Sequence, residues 1–387
     1  MRIARLRKFG GQSPLGLLGM LLCIVLIERF VARHEADHFL KMDSWTWNQT
    51  AKRAVREARD AGLICLGDSL VQVGIAPILI EARTGLVTNN LALSGGQPAS
   101  SYFLLRRVLE AGGEPKAVLI DFFPKHLQVS PTVSLDPWTS IAQSRELFDL
   151  ARQSGDTDFL GRALWSRWVP SSRARPEVRN AILAALREEN RRDRQHVPPY
   201  WRRNLQVNQG GVLCPPPEEA QTTDLVGWTK RYFPADWECD PVNERYIRRL
   251  LRLAESRKIQ VYWLLPPMQP ALQSRVAQNG LDAKYVAFVQ RIRADFPGLT
   301  VIDGRHANYD PAVFFDPHHL ARTGAAVLSH DIALILHERL SQSTPPRNNW
   351  VSLPGYGPRR IGEPLEDVNQ SRTLLRLSRT RTDSLSR

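Results

Sequence analysis

Two short motifs, far apart in the chain, carry side chains that together could perform nucleophilic catalysis. Gly67-Asp68-Ser69-Leu70 supplies a hydroxyl, and Asp316-Pro317-His318-His319 supplies a carboxylate and imidazoles. A serine hydroxyl is a weak nucleophile until a base removes its proton, and a carboxylate can hold that base in one tautomer. These residue types therefore predict a catalytic relay in which Ser69 attacks, His319 takes the proton and Asp316 orients the imidazole.

Each motif also has a simpler interpretation. Gly-Asp-Ser at the start of a helix could be no more than a helix cap, and a histidine in a loop is most often a surface residue. His318 competes with His319 for the role of base. The spacing from Asp316 and the leucine that follows favour His319.

A glycine-containing segment offers backbone donors for the same chemistry. Asn90-Leu91-Ala92-Leu93-Ser94-Gly95-Gly96 follows a predicted strand, and its glycines leave N–H groups accessible. Ser69 stands where a strand ends and a helix begins, so its own N–H can face a developing oxyanion. We therefore expect the N–H groups of Ser69 and Gly95 to form an oxyanion hole. The alternative for Gly95 is an ordinary turn.

Apolar strands alternate with helical segments along the chain and predict an α/β fold. The predicted strands are Leu63 to Leu66, Leu86 to Leu91, Ala117 to Phe123, Gln260 to Leu265 and Leu299 to Ile302. The predicted helices include Ile75 to Arg83, Ser100 to Ala111, Pro241 to Arg257, Asp282 to Phe296 and Ala321 to Leu340. Such alternation indicates a parallel sheet covered by helices, in which sites lie at the carboxyl ends of the strands.

The sequence divides into a series of predicted segments. They are a basic cytoplasmic segment (1–14), a signal anchor or transmembrane helix (15–32), a connecting helix (33–60), the α/β catalytic domain (61–340) and a disordered basic tail (341–387). Within the domain, residues 125–240 interrupt the alternation and are rich in Arg, Trp and Pro, with a helical stretch at Glu177 to Arg194. We interpret them as an insertion that caps the site or forms a substrate-binding surface. The alternative is a helical outgrowth without a catalytic part.

The N-terminus has the pattern of a membrane-targeting segment. Basic residues precede an apolar run from Leu15 to Ile27. This order favours an uncleaved, single-pass signal anchor, with the catalytic domain outside the cytoplasm on the periplasmic or extracellular side. A cleaved signal peptide and a buried hydrophobic helix are the alternatives.

The formal net charge of +13 comes mostly from arginine. No basic motif interleaved with aromatic residues accompanies it, so we expect no specific nucleic-acid binding. Loose contact with anionic lipid or acidic polysaccharide is the favoured use of the charge. The four cysteines lack metal-ligand spacing, and we expect neither a metal nor another cofactor. Whether Cys214 and Cys239 form a disulfide is left open.

Together, the motifs resemble those of the SGNH/GDSL hydrolases. The first block of that family corresponds to Gly67-Asp68-Ser69, the glycine of its second block to Gly95, and its Asp-x-x-His block to Asp316 and His319. The resemblance spans roughly Gly62 to Leu340, apart from the insertion. It implies a flavodoxin-like, three-layer αβα sandwich and a serine esterase or O-acyltransferase that works through an acyl-enzyme.

The third block of the family is altered in this chain. An Asn that donates to the oxyanion is usual after the third strand, whereas this chain has Ile120-Asp121-Phe122-Phe123-Pro124-Lys125. Asn90 is either a stand-in donor or a turn residue. In this departure the chain resembles the membrane-anchored SGNH-like proteins of polysaccharide acetylation.

The resemblance also sets expectations for substrate and partner. It implies an O-acylated small molecule or polysaccharide as substrate and a membrane-bound acyltransferase as partner. The alternative is a catalytically weak binding or scaffold protein built on the same fold. The altered third block and the large insertion both favour that alternative.

Overall fold

A six-stranded parallel sheet organises the part of the chain that the computed structural model describes. That part comprises residues 15–33, 42–169, 197–217, 224–342, 349–359 and 364–385, with the single positions 183 and 362. The strands are β1 Leu63–Leu66, β2 Thr88–Asn90, β3 Ala117–Ile120, β4 Gln260–Leu265, β5 Thr300–Asp303 and β6 Trp350–Ser352. Their order across the sheet is β2-β1-β3-β4-β5-β6. The first five strands follow the 2-1-3-4-5 order of flavodoxin-like sheets.

Helices connect the strands and cover both faces of the sheet. Before β3 lie α1 Leu15–Arg33, α2 Met42–Arg56, α3 Ser69–Gly74, α4 Pro77–Thr84 and α5 Pro98–Glu110. Between β3 and β4 lie α6 Pro124–Gln128, α7 Asp136–Ile141, α8 Ser144–Ser154, α9 Thr157–Trp168, α10 Pro199–Val207, α11 Leu225–Tyr232 and α12 Pro241–Ser256. After β4 lie α13 Pro270–Gln278, α14 Leu281–Asp295, α15 Arg322–Ser341 and α16 Val368–Leu385.

The central strands are apolar at successive positions because both faces of the sheet are buried. In β1, Ile64 and Leu66 join a buried cluster that includes residues of α5, α12 and α14. Leu63 and Cys65 join a second buried cluster with residues of α4 and α15. Successive side chains of a strand point to opposite faces, so the two clusters lie on opposite sides of the sheet. The predicted α/β class with a parallel sheet is confirmed, in an arrangement compatible with a three-layer sandwich.

The turn after β1 packs against its neighbours so closely that only glycine fits. Gly67 has a φ of +138°, and a Cβ atom there would lie 2.3 Å from the backbone oxygen of Asp121 after β3. A Cβ atom at Gly96, after β2, would lie 2.2 Å from the backbone oxygen of Gly67. Backbone–backbone contact therefore fixes the carboxyl ends of three neighbouring strands against one another.

The predicted elements agree with the observed ones in order, and differ in some boundaries. β2 and β3 are shorter than predicted. The helix predicted from Ile75 begins at Pro77, and a separate short helix, α3, begins at Ser69. The helix predicted for Glu177 to Arg194 lies outside the described residues apart from position 183, and the basic segment 1–14 also lies outside them.

A helix of 19 residues, α1, occupies the position of the predicted anchor. Its exposed large apolar side chains are Leu17, Leu18, Met20, Leu21, Leu22, Ile24, Val25 and Leu26. Within the described residues, no helix meets the length and hydropathy needed to cross a membrane.

The described part of the C-terminal segment is folded, which differs from the disordered tail predicted for 341–387. β6 pairs in parallel with β5 and extends the sheet by one strand. Leu353 and Val368 are buried, and Glu366 forms an ion pair with Arg203 at 2.6 Å. The apolar residues of this segment are too sparse to show a periodic pattern. Its order depends instead on contacts with distant parts of the chain, which a local sequence pattern does not reveal.

The structure also settles the state of the cysteines. Cys214 and Cys239 are both free thiols, so the disulfide left open by the sequence is absent. Cys65 is buried in β1, and burial raises the pKa of its thiol to about 12. The thiol therefore acts as a small apolar side chain of the sheet.

Replacing Leu353 tests whether the C-terminal segment is an integral part of the fold. Leu353 is buried beside β5, where its N–H donates to the Asp303 carbonyl at 2.8 Å. We expect Leu353→Ala to lower the free energy of unfolding by about 2–4 kcal/mol, since it leaves a cavity. Leu374→Ala, at an exposed leucine of α16, is the matched control and should change stability by less than about 0.5 kcal/mol. Equal urea midpoints for the two variants would contradict this account.

Candidate active site

The serine of the first motif begins a helix at the carboxyl end of β1. Asp68 is the N-cap of α3, and its Oδ1 accepts a hydrogen bond from the Leu70 N–H at 2.9 Å. The capping role that the sequence left open thus belongs to Asp68. The Ser69 hydroxyl is left free to face a cleft beside the sheet.

The three residues predicted for the relay lie within hydrogen-bond distance in the expected order. His319 Nε2 is 2.8 Å from Ser69 Oγ. His319 Nδ1 is 2.7 Å from Asp316 Oδ2. A hydrogen on Nδ1, directed at the carboxylate, leaves a lone pair on Nε2 for the serine proton. The arrangement therefore has the geometry that proton transfer from Ser69 requires.

The second carboxylate oxygen of Asp316 holds the loop that carries the imidazole. Oδ1 accepts hydrogen bonds from the N–H groups of His318 at 3.0 Å and His319 at 2.8 Å. Burial pushes the pKa of Asp316 upward, but the hydrogen bond and charge of His319 outweigh burial and lower the pKa to about 2. Asp316 is therefore ionised at neutral pH and can stabilise an imidazolium.

The same loop is tied down by its backbone. The Phe315 N–H donates to the carbonyl of His319 at 2.8 Å, which closes the loop on itself. The Gln269 N–H donates to the Pro317 carbonyl at 3.0 Å, which joins the loop to the segment after β4. The imidazole of His319 is thus presented by a restrained backbone.

His318 has a different environment from His319. Its ring stacks on Phe123 with centroids 5.2 Å apart and planes 12° apart. Its Nδ1 accepts a hydrogen bond from Trp228 Nε1 at 3.1 Å. Burial, with the charge of His319, lowers the pKa of His318 to about 3. His318 is therefore a neutral packing residue, and of the two competing histidines it is His319 that faces Ser69.

The predicted glycine donor lies at the same cleft. Gly95 has a φ of +66° and lines the cleft together with Ser69. The neighbouring carbonyl of Ser94 accepts a hydrogen bond from Trp47 Nε1 at 3.0 Å. Helix α2, predicted only as a connector, therefore fixes the turn that carries Gly95.

Asn90 is not a donor to this cleft. Its Nδ2 donates to the carbonyl of Val71 at 2.9 Å, and its Oδ1 accepts from the Ala92 N–H at 3.0 Å. The side chain is buried and braces the end of β2 against α3. Of the two interpretations of Asn90, the structure supports the turn residue.

The end of β3 carries a buried carboxyl group where the family resemblance expects an amide donor. Asp121 lines a small cavity beside Tyr285, apart from the cleft of Ser69. Burial and the nearby charge of Asp68 raise the pKa of Asp121 well above its ordinary value. Asp68 itself accepts a hydrogen bond from the Phe123 N–H at 2.5 Å. A neutral Asp121 avoids two carboxylates side by side.

The cleft above Ser69 has a volume of about 570 Å³. Residues of the insertion line it, including Lys125, His126, Trp138, Trp228, Arg231 and Tyr232. The insertion thus borders the site, as a cap or a substrate-binding surface must. Its Arg- and Trp-rich composition was visible in the sequence, but which side chains reach the cleft depends on how α6, α7 and α11 pack.

The relay loop also contains a group of side chains with metal-ligand chemistry. Asp316, His318 and His319 each offer one ligand atom, and these atoms lie within 4.8 Å of one another. However, His318 Nδ1 already accepts from Trp228, and His319 Nδ1 already pairs with Asp316. These contacts suit proton transfer better than metal coordination.

Fold and site together define an α/β protein that holds a Ser–His–Asp arrangement at the carboxyl edge of its parallel sheet. The sequence matches the model of one protein family over residues 47–325. That family is described as Protein of unknown function (DUF1574), and the chain belongs to it. The matched range contains all three residues of the relay. No curated protein matches the sequence.

The environment of His318 predicts a particular loss of stability in acid. The unfolded chain takes up a proton at His318 near pH 6.5, whereas the folded state does so only near pH 3. Stability should therefore fall as the pH drops from about 6.5 towards 3. We expect His318→Gln to flatten this decline in the urea midpoint, although other buried groups still contribute.

The exposed His337 provides the control for this measurement. His337→Gln should reproduce the wild-type decline between pH 7 and pH 4. If the curves of His318→Gln and wild type stay parallel over this range, His318 does not titrate as its burial requires.

Proposed function

We propose that this protein is a serine esterase or O-acyltransferase with an SGNH-type site and fold. The single observation that carries the proposal is the 2.8 Å contact between Ser69 Oγ and His319 Nε2, continued by the 2.7 Å contact to Asp316. The scaffold alternative gives no reason for a serine, an imidazole and an ionised carboxylate to line up in this order. We therefore favour catalysis over binding alone.

In the proposed reaction, Ser69 Oγ attacks the carbonyl carbon of an ester while His319 takes the hydroxyl proton. The N–H groups of Ser69 and Gly95 stabilise the oxyanion, and the Asp316 carboxylate stabilises the imidazolium. Collapse of the intermediate breaks the ester C–O bond, and His319 returns the proton to the leaving alcohol. The product is an acyl-enzyme on Ser69.

A second addition completes the turnover. Water or a sugar hydroxyl gives up its proton to His319 and attacks the acyl-enzyme, which releases a carboxylic acid or a new ester and restores Ser69. Hydrolysis and acyl transfer thus use the same residues. The open cleft of about 570 Å³ fits an O-acylated small molecule or a sugar unit of a polysaccharide, which is the substrate class we propose.

The proposed location follows from the N-terminal region, and the proposed partner from the resemblance to the SGNH-like proteins of polysaccharide acetylation. The basic residues before α1 and the exposed apolar side chains of α1 support attachment to a membrane. We place the α/β domain outside the cytoplasm. A membrane-bound acyltransferase is the partner that would supply or receive acyl groups there.

Turnover of p-nitrophenyl acetate by the full chain tests the proposed catalysis. We expect Ser69→Ala and His319→Ala to lower kcat by a factor of about 10³ or more, because each removes a member of the relay. Ser130→Ala removes another hydroxyl that lines the same cleft and should leave kcat within about twofold. Equal rates for wild type and Ser69→Ala would remove Ser69 from the mechanism and favour the binding alternative.

Fractionation tests the proposed membrane attachment. We expect the full chain to stay with membranes after a carbonate wash, and a variant with Leu21, Leu22 and Ile24 replaced by Gln to be released. Leu374→Gln/Leu377→Gln changes exposed leucines of α16 and should remain with the membranes. Release of the wild-type chain into the wash would contradict the attachment.

A further inference from the structure

His126 is held at the cleft by its own backbone. Its N–H donates to the Phe123 carbonyl at 2.9 Å. Its carbonyl accepts from Gln97 Nε2 and from Asn243 Nδ2, each at 3.1 Å. Three chain segments thus meet at this residue: the start of α5, the start of α12 and the short helix α6 with its N-cap Phe123. Such bracing places the imidazole before any substrate arrives.

The imidazole of His126 lies beside the predicted oxyanion donors. A Cβ atom at Gly95 would be 3.9 Å from His126 Cε1, the carbon bonded to both ring nitrogens. His126 lines the cleft together with Ser69 and Gly95. Its ring also contacts Phe123, with centroids 5.6 Å apart. The edge of the imidazole that carries both ring nitrogens therefore borders Gly95 at the cleft that also holds Ser69.

The charge state of His126 suits a neutral donor. Burial lowers the pKa of His126; Asp68 opposes this, whereas His319 and Lys125 lower the pKa further. At neutral pH the ring therefore carries one N–H and one lone pair. A neutral donor can stabilise an oxyanion without transferring a proton to it.

Several other side-chain N–H groups at the cleft already donate hydrogen bonds to protein acceptors. Trp47 donates to Ser94, Trp138 to Pro131, and Trp228 to His318. Gln97 Nε2 donates to His126 and Val129. Within the described residues, by contrast, neither ring nitrogen of His126 is hydrogen-bonded to a protein group.

We propose that the imidazole N–H of His126 is a third hydrogen-bond donor to the oxyanion, beside the N–H groups of Ser69 and Gly95. This inference rests on the proposed function. The SGNH/GDSL resemblance expects an asparagine donor after β3, and this chain has none there. The proposal gives that role to a side chain of α6. His126 would contact the reacting carbonyl oxygen directly and is, in that sense, a further catalytic residue.

Two substitutions separate hydrogen bonding from packing. His126→Phe keeps an aromatic ring beside Phe123 but has no N–H, whereas His126→Gln loses the ring but keeps a donor. We expect His126→Phe to lower kcat for p-nitrophenyl acetate by about 10²–10³ while KM changes less than about threefold, because the bond forms mainly in the transition state. His126→Gln should retain at least about ten times the kcat of His126→Phe.

Gln128→Met is the matched control, since Gln128 lies in the same helix, α6, but does not line the cleft. It should leave kcat within about threefold. Equal kcat for wild type and His126→Phe, or a higher kcat for His126→Phe than for His126→Gln, would overturn the assignment. The proposed function is tested separately in the same assay: turnover by wild type that survives in Ser69→Ala would refute that function, whatever His126 does.

Discussion

The carboxylate of Asp316 accepts hydrogen bonds from two directions, and the geometry of the site depends on this. Oδ1 accepts hydrogen bonds from the backbone N–H groups of His318 and His319, while Oδ2 is hydrogen-bonded to Nδ1 of the His319 imidazole. The backbone bonds set the shape of the loop, and the side-chain bond sets the tautomer and direction of the ring. With both in place, Nε2 lies 2.8 Å from Ser69 Oγ. An amide in place of the carboxylate would carry no charge to stabilise an imidazolium.

Ser69 is positioned by a second constraint, the close approach of backbone at the sheet edge. Gly67 and Gly96 allow the turns after β1 and β2 to touch, and Gly67 allows the turn after β1 to touch the backbone of Asp121. Because these contacts leave no room for a side chain, they hold the turns that carry Ser69 and Gly95 together at one cleft. The geometry of the site therefore follows from backbone packing as much as from the side chains of Ser69, His319 and Asp316.

The sequence predicts those features that local residue patterns determine. Apolar runs place the strands, and the residue types at Ser69, Asp316 and His319 are restrictive enough to predict the relay. The order of α/β elements then brings the two motifs to one edge. Other features depend on contacts between distant segments: the role of Asn90 as a brace, the aromatic packing of His318 against Trp228, and the ordering of β6. Neither periodicity nor composition carries that information, because the partners of these residues are far away in the chain.

The proposed catalysis depends above all on the activation of Ser69 by His319. Labelling of the folded protein with a fluorophosphonate, followed by intact mass and peptide mapping, tests this most directly, because the reagent reacts with an activated serine without depending on the natural substrate. We expect a single adduct on Ser69 in the wild-type chain and its loss in His319→Ala. An adduct at another residue, or equal labelling of Ser69 in wild type and His319→Ala, would contradict it, as would the absence of any adduct in folded wild-type protein.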